Sequence, residues 1–343
     1  MNQNFIRRTK KLGECIIFFI KYKMHFKRMV ILNTPEHGNL GDQAIVEAEY
    51  CFFEKYFPDY NIFEVSATMW NPKIFKYIIS KKDMVFFHAG GYLGDLWPDE
   101  NLRIKEMMEV FKDNEKIIMP QSIYFKETEN KLALIQATRE RFNTYSNLYI
   151  FIRERNSFAF LQKEKLVNSK QYMLVPDIVL IMDKTISGTN REGVICCFRD
   201  DIEKNIEDSE KKYIEKMLKD NHLKCTYTDT VVPYQINKKR RKEEVDKKLK
   251  EFSEAKLVIT DRLHGMIFAA ITGTPCIALN NISGKVKGEY EWIKELPYII
   301  YVEKIEESHI KKMLNIENAQ YDKSMMDKYY DQMAQIITKK IKK

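Results

Sequence analysis

The chain has 343 residues, which is enough for two domains with a core in each. Hydrophobic residues make up 44% of it, with only twelve glycines and nine prolines, so disordered, low-complexity and collagen-like classes are excluded. The net charge of +8 is local, because residues 1–29, 238–250 and 339–343 carry +7, +5 and +4 and the remainder is about −8. Such confined basicity argues against a nucleic-acid-binding protein.

The cysteine pattern and the hydropathy favour a cytoplasmic protein. The six cysteines form no Cys-x-x-Cys pair and no Cys/His zinc spacing, as expected of free thiols in a reducing compartment. No stretch approaches the ~20 apolar residues that cross a bilayer. The apolar run 15–20 lies between basic flanks, and two interpretations stay open for segment 1–28: a helix packed on the body, or a peripheral contact with an anionic membrane surface.

Short apolar runs alternate with segments of helical period through the first half of the chain. The predicted strands are 29–33, 61–65, 83–88, 116–120 and 148–152, and the predicted helices are 44–57, 72–80, 102–111, 127–142 and 157–166. Strands that are apolar throughout and separated by helices are typical of a parallel sheet covered on both faces.

A second series of the same kind follows the loop 184–191, whose Ser-Gly-Thr-Asn run is typical of a linker. Its predicted strands are 193–198, 223–228, 256–260 and 275–279, and its helices are 203–219, 238–254, 263–271, 304–314 and 322–341. The basic part of helix 238–254 is expected to be a solvated face.

The predicted architecture is therefore α/β, with two Rossmann-like domains that contain parallel sheets and an active-site cleft between them. The predicted divisions are a basic N-terminal segment (1–28), a first Rossmann-like domain (29–183), a second (192–316) and a C-terminal helix (317–343). Ligands of such folds bind at the carboxyl ends of the strands.

Polar residues follow the first strand in the run Gly-Asn39-Leu-Gly-Asp42. Asp42 stands where a helix N-cap belongs, and an acid there would oppose a bound phosphate. Two interpretations of Asp42 stay open: a helix cap, or a group that accepts hydrogen bonds from sugar hydroxyls or acts as a base.

Three further strand ends carry candidate residues for the wall of the cleft. The turn after strand 83–88 is rich in glycine and also contains two aromatic rings that are suited to stacking on a sugar. Strand 116–120 ends in two polar side chains, and strand 148–152 ends in Arg153 and Glu154, which form either an ion pair or part of a site. The candidates at the first two strand ends are Gly90, Gly91, Asp95, Trp97, Gln121 and Ser122, with Tyr92 as the second ring.

The second half has basic residues at three strand ends. Arg199 follows strand 193–198, Arg262 and His264 follow strand 256–260, and Lys285 lies in the loop after strand 275–279. Since these ends share one edge of a sheet, we expect a cationic pocket for a small dianion or trianion. Guanidinium groups bind carboxylate and phosphate bidentately, and a histidine beside them can exchange protons near neutral pH.

Four motifs in this order resemble the polysaccharide pyruvyltransferase family, whose members act in exopolysaccharide and capsule biosynthesis. They are GNLGDQAI at 38–45, GGYLGDLW at 90–97, PQSI at 120–123 and DRLHG at 261–265, accompanied by Pro275 and the loop 280–285. The resemblance covers about residues 30–295, and DRLHG is its most specific part.

The resemblance implies a GT-B-like fold and transfer of a pyruvyl group from phosphoenolpyruvate to two hydroxyls of one sugar as a cyclic ketal. The residue hypotheses are that Arg199, Arg262 and Lys285 bind the donor, that His264 is the general acid, and that Asp42 orients or deprotonates the acceptor. The acceptor is expected to be a polysaccharide or its lipid-linked precursor, with no metal and no cofactor. Two alternatives stay open: a GT-B glycosyltransferase that uses a nucleotide sugar, and a non-catalytic protein that binds polysaccharide or membrane.

Overall fold

The computed structural model describes residues 3–186, 190–201, 203–317 and 319–342, with residues 3–10 described by their backbone alone. It contains two parallel sheets with helices packed against them, and this confirms the predicted α/β class with two Rossmann-like sheets. Residues 187–189 of the predicted linker lie outside the described residues. The predicted division points between domains stay a prediction.

The first sheet has the strand order β2-β1-β3-β5-β6-β7, and β4 pairs with β5 beyond this path. Its strands are β1 (Arg28–Thr34), β2 (Asn61–Ser66), β3 (Met84–Phe87), β4 (Gly90–Gly94), β5 (Lys116–Tyr124), β6 (Leu148–Ile152) and β7 (Tyr172–Leu174). Its helices are α1 (Gln3–Lys23), α2 (Leu40–Tyr56), α3 (Pro72–Ile78), α4 (Pro98–Val110), α5 (Lys131–Asn143) and α6 (Arg155–Lys163), and a 3-10 helix (Ile178–Ile181) follows. The central strands β3, β5 and β6 are buried along almost their whole length, as a sheet covered on both faces requires.

The second sheet has the strand order β12-β11-β10-β8-β9, and its strand pairs are parallel. Its strands are β8 (Glu192–Cys197), β9 (Cys225–Thr228), β10 (Ala255–Thr260), β11 (Cys276–Ala278) and β12 (Ile299–Tyr301). The helices that accompany it are α7 (Asp208–Asp220), α8 (Lys238–Ser253), α9 (Leu263–Ile271), α10 (Lys285–Ile293), α11 (Glu307–Leu314) and α12 (Ser324–Ile341).

Two helices of the second half of the chain, α8 and α12, hold the halves together. In α12, Tyr330 is fully buried and donates to the carbonyl of Asp177 at 2.7 Å, beside the 3-10 helix. In α8, Arg241 is only 1% exposed and donates to Gln43 at 2.9 Å and to Glu64 at 3.1 Å. Burial alone would raise the pKa of Glu64, but Arg241 outweighs it and lowers that pKa to about 2.

The expectation that the basic part of α8 is a solvated face is therefore wrong in part. Arg241, Glu244 and Lys248 are buried, while the other charged residues of the helix remain on the exposed side. The charge pattern of the helix did not show that Glu64, from the first half of the chain, pairs with Arg241.

The strands that the sequence did not predict are short: β4, β7 and β12 have five, three and three residues. The nine-residue helix α10 was also not predicted, and it begins at Lys285 at the end of the predicted loop. A run of three to five residues contains too few positions for a period of two to be recognised. Among them, β4 and α10 matter for function because they place Gly91 and Lys285.

Candidate active site

The carboxyl ends of both sheets face one cavity of about 420 Å³. Eight of the twelve candidate site residues line it: Asn39, Asp42, Gly91, Trp97, Arg199, Arg262, His264 and Lys285. The first four come from the first half of the chain and the last four from the second. The cavity therefore lies between the two Rossmann-like halves, where the sequence placed the cleft.

The loop before α2 joins the halves directly. The backbone N–H of Leu40 donates to the carbonyl of Thr230 at 2.7 Å, and the N–H of Val232 donates to the carbonyl of Gly38 at 2.8 Å. A Cβ on Gly38 would overlap the Val232 carbonyl oxygen and lie 2.9 Å from its carbon. Only glycine permits this close approach of two backbones.

The cap of α2 is Asn39, whose side chain accepts from the N–H of Gly41 at 3.0 Å. The interpretation of Asp42 as the cap is therefore wrong. Both residue types cap helices well, so composition did not distinguish them. Asp42 instead lies in the first turn at the cavity wall, 3.7 Å from the imidazole of His37.

His264 stands in the first turn of α9 and is 9% exposed. Burial, opposed by Asp177 and assisted by Arg153, lowers the pKa of His264 to about 4. Its Nε2 lies 3.8 Å from an oxygen of Asp177 and has no hydrogen-bond partner among the described residues. The imidazole is therefore neutral near pH 7 until a bound group changes its surroundings.

Gly41 makes room for this imidazole. A Cβ on Gly41 would lie 2.6 Å from Cγ of His264 and would overlap its Nδ1. The glycine of one half thus leaves the space that the ring of the other half occupies, which explains the second glycine of the motif at 38–45.

The three predicted donor-binding bases are all paired with acids. Arg199 donates to Asp201 at 2.8 Å and to Glu203 at 2.7 Å. Arg262 donates to Asp229 at 2.8 Å, and Lys285 donates to Glu203 at 3.1 Å.

Acids therefore share the cavity wall with the bases. Among the described residues, the lining contains four arginine or lysine side chains, the fourth being Arg153, and four acidic ones, Asp42, Glu100, Asp201 and Glu203. The predicted cationic pocket is therefore balanced by acids, because the sequence did not show that Asp201 and Glu203 pair with Arg199.

Asp201 differs from the other acids because it joins two arginines. Its carboxylate accepts from Arg199 and also lies 3.4 Å from Arg262, and its side chain is 33% exposed. Burial opposes ionisation of Asp201, but Arg199 outweighs it and lowers its pKa. The carboxylate thus occupies a position where two guanidinium groups converge.

Arg153 is a cavity residue that the sequence left undecided. Its guanidinium donates to Ser122 at 2.8 Å and to Asp177 at 2.7 Å, and it is 3% exposed. Glu154 is not its partner but accepts from the N–H groups at the start of α6. The Ser157 hydroxyl, in the first turn of that helix, bonds to the backbone of Ile123.

Four predicted wall residues do not line the cavity but lie behind or beside it. Gln121 donates to the carbonyl of His88 at 2.7 Å, and Ser122 accepts from Arg153. Gly90 pairs with Gln121 between β4 and β5, and Asp95 accepts from the N–H of Lys126 at 2.8 Å. Gln121 and Ser122 thus support residues that do line the cavity.

Gly91, Tyr92 and Trp97 all line the cavity, but they differ in how far they are exposed to it. A Cβ on Gly91 would lie 3.0 Å from Arg153 and 3.1 Å from Lys285, so a side chain there would crowd both bases. Trp97 lines the cavity and is 39% exposed, whereas Tyr92 is 9% exposed and its hydroxyl donates to the carbonyl of His88. Trp97 is therefore the more accessible surface for stacking.

His88 and Glu49 form a buried pair that the sequence did not single out. Glu49 is fully buried, and its two oxygens accept from His88 Nδ1 at 3.0 Å and from the N–H of Ala89 at 2.8 Å. His88 lines the cavity, but Glu49 lies 39 residues earlier, within α2. The only signal was the strand-end position of His88.

Two facing Rossmann-like sheets with the site between them define an α/β protein of the GT-B-like type. A family model described as polysaccharide pyruvyl transferase matches residues 39–283. This range includes eleven of the twelve candidate site residues, and the twelfth, Lys285, lies just beyond it. The chain belongs to the polysaccharide pyruvyl transferase family, which confirms the resemblance seen in the motifs.

Individual relatives are similar along most of the chain. General stress protein 30 of Bacillus subtilis (strain 168) is 34% identical over 297 residues, which is 84% of this chain and 84% of that protein. Pyruvyl transferase 1 of Schizosaccharomyces pombe is 25% identical over 288 residues, covering 77% and 70%. A crystal structure of an uncharacterised Klebsiella pneumoniae protein matches with a TM-score of 0.56 at 20% identity, covering 85% and 98%, which shows the same fold.

Proposed function

We propose that this transferase moves a pyruvyl group from phosphoenolpyruvate to two hydroxyls of one sugar, forming a cyclic ketal and releasing phosphate. The observation that carries the proposal is the convergence of Arg153, Arg199, Arg262 and Lys285 with His264 in one cavity. Phosphoenolpyruvate is a small molecule with a carboxylate and a phosphate, which are the two groups that guanidinium binds most strongly. The acceptor is a sugar of a polysaccharide or of its lipid-linked precursor.

The position of Asp201 supports a donor subsite between Arg199 and Arg262. An anionic group of the donor replaces the Asp201 carboxylate there, because the arginines are buried and the acid is the more exposed partner. Lys285 shares Glu203 with Arg199 and adds a third positive charge beside Gly91, where its Nζ lies 3.4 Å from the glycine carbonyl.

The bound donor makes His264 an acid. A neutral imidazole cannot donate the proton that the reaction needs, but an anion beside it raises its pKa. His264 then protonates the methylene carbon of the donor, and positive charge develops on the carbon that carries the phosphate. The first sugar hydroxyl adds to that carbon, phosphate leaves, and the second hydroxyl closes the ring.

The protons balance in this scheme. The two hydroxyls release two protons, of which one replaces the proton taken from His264 and the other is carried away by phosphate. No redox cofactor and no metal takes part in the steps as written. Asp42 and Trp97, on the first-half side of the cavity, are suited to hydrogen-bond and stack on the sugar.

The experiment is to incubate the protein with phosphoenolpyruvate and synthetic or lipid-linked glycosides. We expect phosphate release together with a pyruvylated glycoside detected by mass spectrometry, unchanged by a metal chelator. Turnover only with a nucleotide sugar would replace the proposal by glycosyl transfer, and no turnover with either donor would favour a binding protein.

Replacing Asp201 by asparagine is expected to lower the KM for phosphoenolpyruvate by about fivefold, or ~1 kcal/mol, with kcat nearly unchanged. The change removes the charge that competes with the donor but keeps an oxygen that can accept from the N–H of Glu203, as Asp201 does at 3.0 Å. Steady-state kinetics at fixed acceptor concentration measure it.

The matched control is Asp200→Asn, because Asp200 is 84% exposed and pairs with Lys204 at the surface. The control should leave KM unchanged. An Asp201→Asn protein with an unchanged or higher KM would contradict the placement of the donor between the two arginines.

A further inference from the structure

The geometry assigns His88, held by Glu49, as the general base that deprotonates the acceptor hydroxyl, an inference that rests on the proposed function. His88 is 3% exposed and lines the cavity on its first-half side. Its Nε2 is buried and has no hydrogen-bond partner among the described residues. A nitrogen left without a partner at a cavity wall is available to a ligand hydroxyl.

The hydrogen bonds of Glu49 decide which ring nitrogen carries the proton. Glu49 offers only acceptor oxygens, and one of them faces Nδ1 of His88 at 3.0 Å. In the neutral form of His88 the proton therefore sits on Nδ1, and Nε2 carries the ring's free lone pair. Since the other Glu49 oxygen is held by the N–H of Ala89, the carboxylate cannot turn away.

The backbone of His88 is fixed as well. Its carbonyl accepts from Gln121 and from the hydroxyl of Tyr92, and its N–H donates to the carbonyl of Leu32 at 3.0 Å. A base held this firmly by a carboxylate and by its backbone keeps one orientation, as an efficient proton acceptor requires.

Asp42, the sequence-based candidate, is less suited to this role. It is 27% exposed on its side chain and faces His37, so water competes for its oxygens. A carboxylate is also a weaker base than an imidazole. In this assignment Asp42 binds the sugar, and His88 takes its proton as the new carbon–oxygen bond forms.

The test compares Glu49→Gln with the wild-type protein. The amide that this change introduces can still bond to both neighbours, but it donates to Nδ1 of His88 and forces the proton onto Nε2. We expect kcat for ketal formation to fall about 100-fold, while the dissociation constant of phosphoenolpyruvate and the melting temperature stay unchanged. His88→Asn should lose a similar factor, and added imidazole should restore part of the activity of His88→Ala.

The control is His222→Asn, at a surface turn whose positive φ of 55° asparagine accepts. It should retain wild-type kcat. Wild-type kcat in Glu49→Gln, or equal losses of kcat and donor affinity, would overturn the assignment. Failure of the wild-type protein to form a ketal would instead overturn the proposed function.

A second, independent inference concerns α1. We infer that its outer face docks on an anionic membrane surface. One face, with Cys15, Phe18 and Tyr22, is buried against the first half of the chain. Large apolar side chains on the rest of the helix and just after it remain exposed: Leu12 at 55%, Ile16 at 51%, Ile17 at 56%, Phe19 at 42%, Ile20 at 54%, Met24 at 71% and Phe26 at 95%.

Charge complementarity selects the occupant of this face. Lys21, Lys23 and Lys27 lie beside the apolar residues and are exposed, and the sequence of residues 1–29 carries seven net positive charges. An apolar stripe flanked by lysines is the pattern of a helix that lies in the plane of an anionic bilayer surface. Within the described residues, no helix is long and apolar enough to cross a bilayer.

The test is co-sedimentation of the full chain with vesicles of phosphatidylcholine, with and without phosphatidylglycerol. We expect binding to the anionic vesicles only, and a loss of at least tenfold in the double variant Ile16→Glu/Ile20→Glu. The control Leu132→Glu/Leu134→Glu, exposed on α5, should bind like the wild type. Three results would overturn this inference. They are equal binding of both variants, no binding by the wild type, and a wild-type dimer that the α1 variant dissociates.

Discussion

Replacing His264 by glutamine is expected to lower kcat for pyruvyl transfer by about 100- to 10,000-fold, the range that general acid catalysis supplies. The amide fills similar space and can still hydrogen-bond, but it cannot protonate carbon. Because His264 has no hydrogen-bond partner at Nε2 among the described residues, the change breaks no bond there. The melting temperature should therefore stay close to the wild-type value, and rapid-quench or steady-state kinetics measure the loss of kcat.

The pH dependence gives an independent check on the same residue. The free protein holds the pKa of His264 at about 4, and a bound anionic donor raises it. Since an acid must be protonated to act, activity falls as pH rises through its pKa. We expect kcat, which reports the donor complex, to fall at a higher pH than kcat/KM, which reports the free protein. A His264→Gln protein with wild-type kcat would contradict the assignment.

Replacing Gly41 by alanine is expected to lower kcat at least 100-fold although no reacting group is changed. The added methyl would overlap Nδ1 of His264, so the imidazole must turn away from its position at the cavity wall. A displacement of about 1 Å at a catalytic group costs roughly a hundredfold in rate, and overpacking costs about 1–3 kcal/mol in stability. Kinetics and thermal unfolding measure the two effects separately.

Two other glycines give matched comparisons. Gly13→Ala meets no atom within 4 Å and should keep full activity, with α1 slightly stabilised. Gly38→Ala meets the backbone of Val232, so it should destabilise the contact between the halves more than Gly41→Ala does. Wild-type kcat in Gly41→Ala would show that His264 does not need the position that the structure gives it.

The sequence predicted the side of the sheets where the site lies, because parallel strands end at one edge whatever their exact order. The sequence therefore predicted that Arg199, Arg262, His264 and Lys285 lie together, although it did not show their partners. The buried strands that carry these residues were recognisable from their continuous apolar runs. Short strands such as β4 lacked that signal.

The pairing of side chains could not be predicted in the same way. Asp201 and Glu203 follow Arg199 closely in sequence, yet only the path of the loop shows that they neutralise it. In the sequence, Glu49 is one charged residue among others in an amphipathic helix. Only the packing of α2 against β3 brings Glu49 to His88. Such contacts depend on distances of a few ångströms between elements whose order in space the sequence does not state.

The most direct measurement follows the bridging oxygen of phosphoenolpyruvate, labelled with heavy oxygen between carbon and phosphorus. Attack of a sugar hydroxyl on carbon breaks the carbon–oxygen bond, so we predict that the released phosphate carries the label and that the sugar gains one pyruvyl group. Label retained in free pyruvate with no pyruvylated sugar would mean that the bond to phosphorus breaks instead, and would contradict the account.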